Sequence, residues 1–91
     1  MLFLVIERFK GGDARPIGER FAREGRMLPE DVRYVESWVE TDGSKCFQLV
    51  EAPNREALNP WTERWADLVD FEITPVLTSA EFWSGVHSRE D

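Results

Sequence analysis

The sequence predicts an α+β fold: a ferredoxin-like βαββαβ sandwich with two helices on one face of a four-stranded antiparallel sheet. Three observations carry that expectation. Met1 to Ile6 is an unbroken apolar run, and a strand apolar on both sides is usually central in its sheet. Asp42-Gly43 stands between two β-rich runs, the strongest short-range signal for a hairpin. Leu58, Trp61, Trp65 and Leu68 recur at helical spacing and lead almost without a loop into Phe71 and Ile73, which alternate as in a strand.

The elements follow in order. Met1–Phe9 reads as the first strand, closed by Lys10-Gly11-Gly12. Asp13 is placed to cap a helix, Pro16 is tolerated in its first turn, and Ile17, Phe21 and Glu24 continue it to a stop at Gly25. Val32–Glu40 and Lys45–Glu51 form the hairpin. An Asp42-Gly43 turn pairs Glu40 with Lys45, Trp38 with Phe47 and Glu36 with Leu49 on one face. The same register pairs Val39 with Cys46, Ser37 with Gln48 and Val35 with Val50 on the other. Asn54 is placed to cap a second helix from Arg55. Pro60 either kinks that helix or restarts it with Asn59 as the new cap. Pro75 confines the last strand to an edge or a strand end. Thr78-Ser79-Ala80-Glu81 matches a capping box, giving a short terminal helix over about 79–85 and a frayed tail at 87–91. Right-handed crossovers put both main helices on one side of the sheet.

Ninety-one residues make a single domain over 1–91, burying roughly 60–65% of the unfolded surface. Eighteen acidic against eleven basic residues give a net charge of −7, with no basic surplus for a phosphate backbone, so no nucleic-acid partner is expected. Met1–Ile6 is too short for a membrane span or signal peptide, so no membrane partner is expected either. The one cysteine, Cys46, excludes an internal disulfide and fits a cytoplasmic protein.

The segment WTERWADLVDFEITPVL, with the Trp38–Asp42-Gly43 hairpin and FQLVE after it, resembles a family of short bacterial proteins. That family is catalogued as domain of unknown function 3303, within the dimeric α+β-barrel superfamily. The resemblance runs from the first strand to Leu77. It implies a subunit whose open sheet face packs against a twin to enclose a barrel. It implies no reaction; elsewhere in the superfamily stand cofactor-free monooxygenases and haem-degrading enzymes.

No pattern for a cofactor or metal is present. Gly11-Gly12 lacks phosphate-loop spacing, no metal-ligand spacing or serine triad occurs, and His87, the single histidine, has no companions. Cys46 reads as a buried inert thiol. Trp61 and Trp65 read as core from their helical spacing, whereas Trp38 fits either hairpin face. The best constellation is polar residues on strands: Ser37, Gln48, Glu72 and Thr74, with Trp38 beside them and Glu7, Arg8 and Glu36 as further candidates. No catalytic residue is assigned. The functional expectation is a homodimer, joined through its open sheet face, that binds a small organic ligand in the cavity between sheets. The alternatives are a cofactor-independent, monooxygenase-like enzyme acting in that cavity, or a structural subunit whose barrel is filled.

Overall fold

The computed structural model describes residues 1–90, with side chains through Val86. His87, Asp91 and the rest of the terminal side chains therefore lie outside what is described. Four strands, β1 (Leu2–Phe9), β2 (Arg33–Val39), β3 (Lys45–Glu51) and β4 (Val69–Val76), form one antiparallel sheet in the order β2-β3-β1-β4. Helices α1 (Arg15–Glu24) and α2 (Asn59–Trp65) cross between strands, and α3 (Ser79–Glu90) follows β4. The chain is α+β and its layout is that of a ferredoxin-like fold.

Strand β1 is central, between β3 and β4, as its two-sided apolar run requires. Its odd positions Phe3, Val5 and Phe9 are buried under the helices with Val50 of β3 and Val69 of β4. Leu58, Trp61 and Trp65 complete this core from above. Trp61 meets Phe71 edge-to-face at 5.3 Å between ring centres. The even positions Leu2, Leu4 and Ile6 share the opposite face with Phe47, Leu49 and Val76; α1 and α2 lie on the other side of the sheet, and α3 borders this face at its Leu2–Val76 end. Pro75 lies in β4, an edge strand, where its missing N–H breaks no ladder bond.

The hairpin register is as the turn dictates from Glu36 to Lys45, with a Glu40–Lys45 ion pair at 3.3 Å. Val35 and Val50 do not pair. A bulge falls between Tyr34 and Glu36, so Tyr34 stands opposite Val50 and Val35 is the extra residue. Glu36 stabilises the irregularity by accepting the Ser37 N–H at 2.9 Å.

The second crossover also differs from both alternatives. A 3₁₀ turn at Glu56–Leu58 runs directly into α2, and Asn59 is helical with no side-chain cap of its own. Asn54 caps the whole unit by accepting the Ala57 N–H at 2.9 Å. Pro60 sits in the first turn of α2, where its missing N–H has no intrahelical role. Helix α2 ends at Trp65, so Leu68 belongs to the turn before β4. Ahead of α1, the Asp13 carboxylate accepts the Arg15 N–H at 3.0 Å, while Ala14 holds the cap position itself. The Thr78/Glu81 capping box is complete, with the Glu81 N–H donating to Thr78 Oγ1 at 3.1 Å and Glu81 Oε1 accepting the Thr78 N–H at 3.3 Å. Helix α3 then continues to Glu90, beyond the expected 79–85.

Candidate functional site

The sheet divides the sequence-derived candidates between its two faces. Trp38, Glu72 and Thr74 are on the open face. Trp38 is 54% exposed opposite Phe47, Glu72 is ion-paired with Arg8 at 3.3 Å, and Thr74 is exposed opposite Leu4. Ser37 and Gln48 are paired neighbours on the helix-facing side. They share that side with Glu7, which has the same parity as Phe3, Val5 and Phe9 and stands opposite Cys46.

These inward polar groups line a cavity of about 170 Å³ between the sheet and the helices. Its floor is Glu7, Cys46, Gln48 and Ser37; its walls include Ile17 and Phe21 of α1 and Trp61 and Trp65 of α2; Arg26 closes one side. Phe21 and Val39 are its most exposed apolar residues, at 44% and 59%, and set its rim beside edge strand β2.

Arg26 reaches the cavity from the loop after α1 because that loop turns sharply. Gly25 has φ 70°, and Met27 has φ 59°, a left-handed conformation that an unbranched non-glycine residue adopts only at some cost. Helix α2 holds the turn in place. Trp65 Nε1 donates to the Arg26 carbonyl at 3.0 Å, and an Arg64 guanidinium N–H donates to the Met27 carbonyl at 2.5 Å. Arg20 secures the same corner with a two-pronged bond to Asp67 at 2.7 and 2.6 Å, which holds the Asp67 carboxyl below its ordinary range. The Arg26 guanidinium lies 3.8 Å from the centre of the Tyr34 ring. Tyr34 in turn shares a 2.9 Å hydrogen bond with Ser37.

The electrostatics of the floor follow from burial. Removal from water pushes Glu7 up to about 7, against the opposing effects of a Cys46 hydrogen bond and the Arg26 charge. Burial, with Glu7 as neighbour, pushes the Cys46 thiol up to about 12. Gln48 is 4% exposed, and its Oε1 faces Arg26 Nε at 3.5 Å. An arginine N–H only donates, so this contact turns the amide oxygen to Arg26 and leaves Nε2 as the free donor. Gln48 Nε2 and Glu7 Oε2 are both buried without a hydrogen-bond partner among the described residues. One donor and one acceptor without partners thus stand as diagonal neighbours on one cavity floor.

A larger hollow of about 590 Å³ lies between Met1, Leu2, Pro75 and Val76 and helix α3, with Phe82 and Trp83 on its far side. Its lining is apolar apart from Ser79, so it offers surface without chemistry. Among the described residues no group of three or more His, Cys, Asp or Glu could hold a metal ion, and no helix is long and apolar enough to cross a membrane.

Sequence reading brought Ser37 and Gln48 together and left Glu7 among secondary candidates. It missed Arg26 and Tyr34. Parity alone would have joined Glu7 to Cys46 and Gln48, because Glu7 alternates with Val5 and Phe9. Arg26 carries no such signal, since its position depends on a left-handed turn and on bonds from α2.

No curated protein and no solved structure gives a significant match to the chain. One family does, over residues 1–89: the chain belongs to the family described as domain of unknown function DUF3303.

Proposed function

We propose that this protein binds a small organic molecule in the cavity between helices and sheet, and that it does so as a homodimer joined through the open sheet face. The observation that supports binding is the pair of unpartnered buried groups, Gln48 Nε2 and Glu7 Oε2, on the floor of a largely apolar cavity. A buried polar group without a partner costs about 1–3 kcal/mol, and a ligand that satisfies both recovers that. The volume of about 170 Å³ suits a molecule of roughly one ring, smaller than the usual drug-sized ligand. On this reading the ligand binds on the helix side, away from the barrel between sheets that the family resemblance implied. Trp38, Glu72 and Thr74 then face the second copy.

Protein-observed NMR with a set of one-ring fragments bearing a carbonyl or hydroxyl tests the reading. Binding should perturb Glu7, Gln48 and Trp65 together. Gln48→Leu should keep the fold and weaken binding by more than about tenfold. Fragments that shift only open-face residues such as Trp38 and Thr74 would place the site elsewhere.

A further inference from the structure

We infer that the cavity is a proton-transfer site for a small enolisable carbonyl compound, with Glu7 as the base and Gln48 and Arg26 receiving the charge. The inference rests on the cavity being a ligand site and adds a reaction to it.

Glu7 and Gln48 are diagonal neighbours on the sheet: Glu7 stands opposite Cys46, and Gln48 is the next residue of β3 on that face. Diagonal side chains on one face are roughly 7–8 Å apart at the backbone, within reach of one small molecule from both sides. A carbonyl oxygen that accepts the Gln48 Nε2 proton brings its α-carbon toward the Glu7 carboxylate. Arg26, beside the Gln48 amide, supplies a fixed positive charge on the oxygen side. Fixed donors aimed at developing negative charge in a water-poor site are the usual means of stabilising such an intermediate.

The step balances without a co-reactant. The Glu7 carboxylate takes the α-proton, the C–H electron pair becomes the carbon–carbon double bond, and the carbonyl π pair moves onto oxygen. That oxygen is held by Gln48 and neutralised by Arg26. The protonated Glu7 then either trades its proton with solvent through the open rim and reprotonates the same carbon, or delivers the proton to a conjugated carbon if the substrate has one. The net change is exchange or isomerisation, with nothing oxidised or reduced. Burial supports the assignment of base, since a carboxylate titrating near neutrality is a better acceptor at working pH than an exposed one. Cys46 is excluded as the base because its thiol stays protonated at neutral pH.

Loss of the α-proton signal in D₂O, followed by NMR, reads the step directly. The probes are cyclohexanone, acetylacetone and phenylpyruvate, each also checked for binding by shifts of Gln48 and Trp65. Wild-type protein should accelerate exchange of a bound probe about 100-fold or more over buffer. Glu7→Gln should return the rate to that of buffer while the binding shifts persist; exposed Glu63→Gln should leave the rate unchanged. Binding without exchange overturns proton transfer and leaves the binding reading intact. Undiminished exchange in Glu7→Gln overturns the assignment of the base. Failure of all three probes to shift the cavity overturns both readings.

Discussion

The Glu7 carboxyl lies against the Cys46 thiol, directly across the β1–β3 ladder and beneath both main helices. Glu7 raises the thiol's affinity for its proton, whereas the thiol's hydrogen bond works against the upward shift of the carboxyl. The acid is pushed to about 7 and the thiol to about 12, with burial the larger cause for both. One consequence is a pH-dependent stability with an unusual sign for a carboxylate. In the folded chain Glu7 keeps its proton up to about pH 7, whereas its ordinary value is 4.5. The folded state therefore binds more protons between those values, and stability falls as pH rises through that window. Above it, both states are ionised and the loss is complete. The other charge at the cavity is Arg26; α1 and α2 present only Ile17, Phe21, Trp61 and Trp65 to it. Glu7→Gln removes the titration. It should change stability little below pH 4.5 and raise it by about 1–3 kcal/mol at pH 8, relative to wild type. Urea titrations at the two pH values check this, and equal differences at both would refute it.

Cys46 should be nearly inert. With the thiol at about 12 instead of an ordinary 9, almost no thiolate exists at pH 8. Iodoacetamide should alkylate the folded protein at least ~100-fold more slowly than the urea-unfolded chain. Glu7→Gln, which removes the neighbouring negative charge, should speed alkylation of the folded form. Comparable rates in folded and unfolded wild type would show that Cys46 is open to solvent.

The two asparagines of the second crossover make a direct comparison. Asn54 accepts the Ala57 N–H, and Asn59 caps nothing with its side chain. Asn54→Ala should cost about 1 kcal/mol, and Asn59→Ala only a few tenths. Thermal melts of the two variants decide the matter, and the reverse order would mean that α2 starts afresh at Pro60.

These cases show what the sequence made legible. Strand parity, the Asp42-Gly43 turn and the helical spacing of Trp61 and Trp65 are local signals, and each led to the right element. Where the sequence left alternatives or misled, the deciding contact was distant. The bulge at Val35 is held by Glu36, whose carboxylate turns back to the Ser37 backbone in a way no period-2 pattern reports. The cavity needs Arg26 beside Gln48, a contact across 22 positions that depends on Met27 in a left-handed conformation and on Trp65 from α2. Ser37 and Trp38 are adjacent in sequence and so point to opposite faces of the sheet. A site built from both could not be a single one.

The proposed dimer makes the last prediction. Leu4 stands opposite Leu49 and Ile6 opposite Phe47, at the centre of the sheet face that the helices leave open. Trp38 extends this apolar surface toward β2 and Val76 toward β4, with the Arg8–Glu72 ion pair at its border. Such a face amounts to roughly several hundred Å², as large as the largest apolar patch of a typical monomer. Two copies packed sheet to sheet would bury about 1,600 Å² or more, the usual size for a stable complex. Leu4 contributes nothing to the helix-side core, so a charge there should spare the fold and oppose only association. Leu4→Glu is expected to weaken the dimer by at least ~100-fold, since the new carboxylate would be buried in an apolar interface without a counter-charge. Light scattering behind a sizing column should give twice the chain mass for wild type and a single chain mass for Leu4→Glu, with unchanged far-UV circular dichroism. A folded wild type running at one chain mass at micromolar concentration would rule the dimer out. The helix-side cavity would be untouched by that result, because every side chain that lines it comes from one chain.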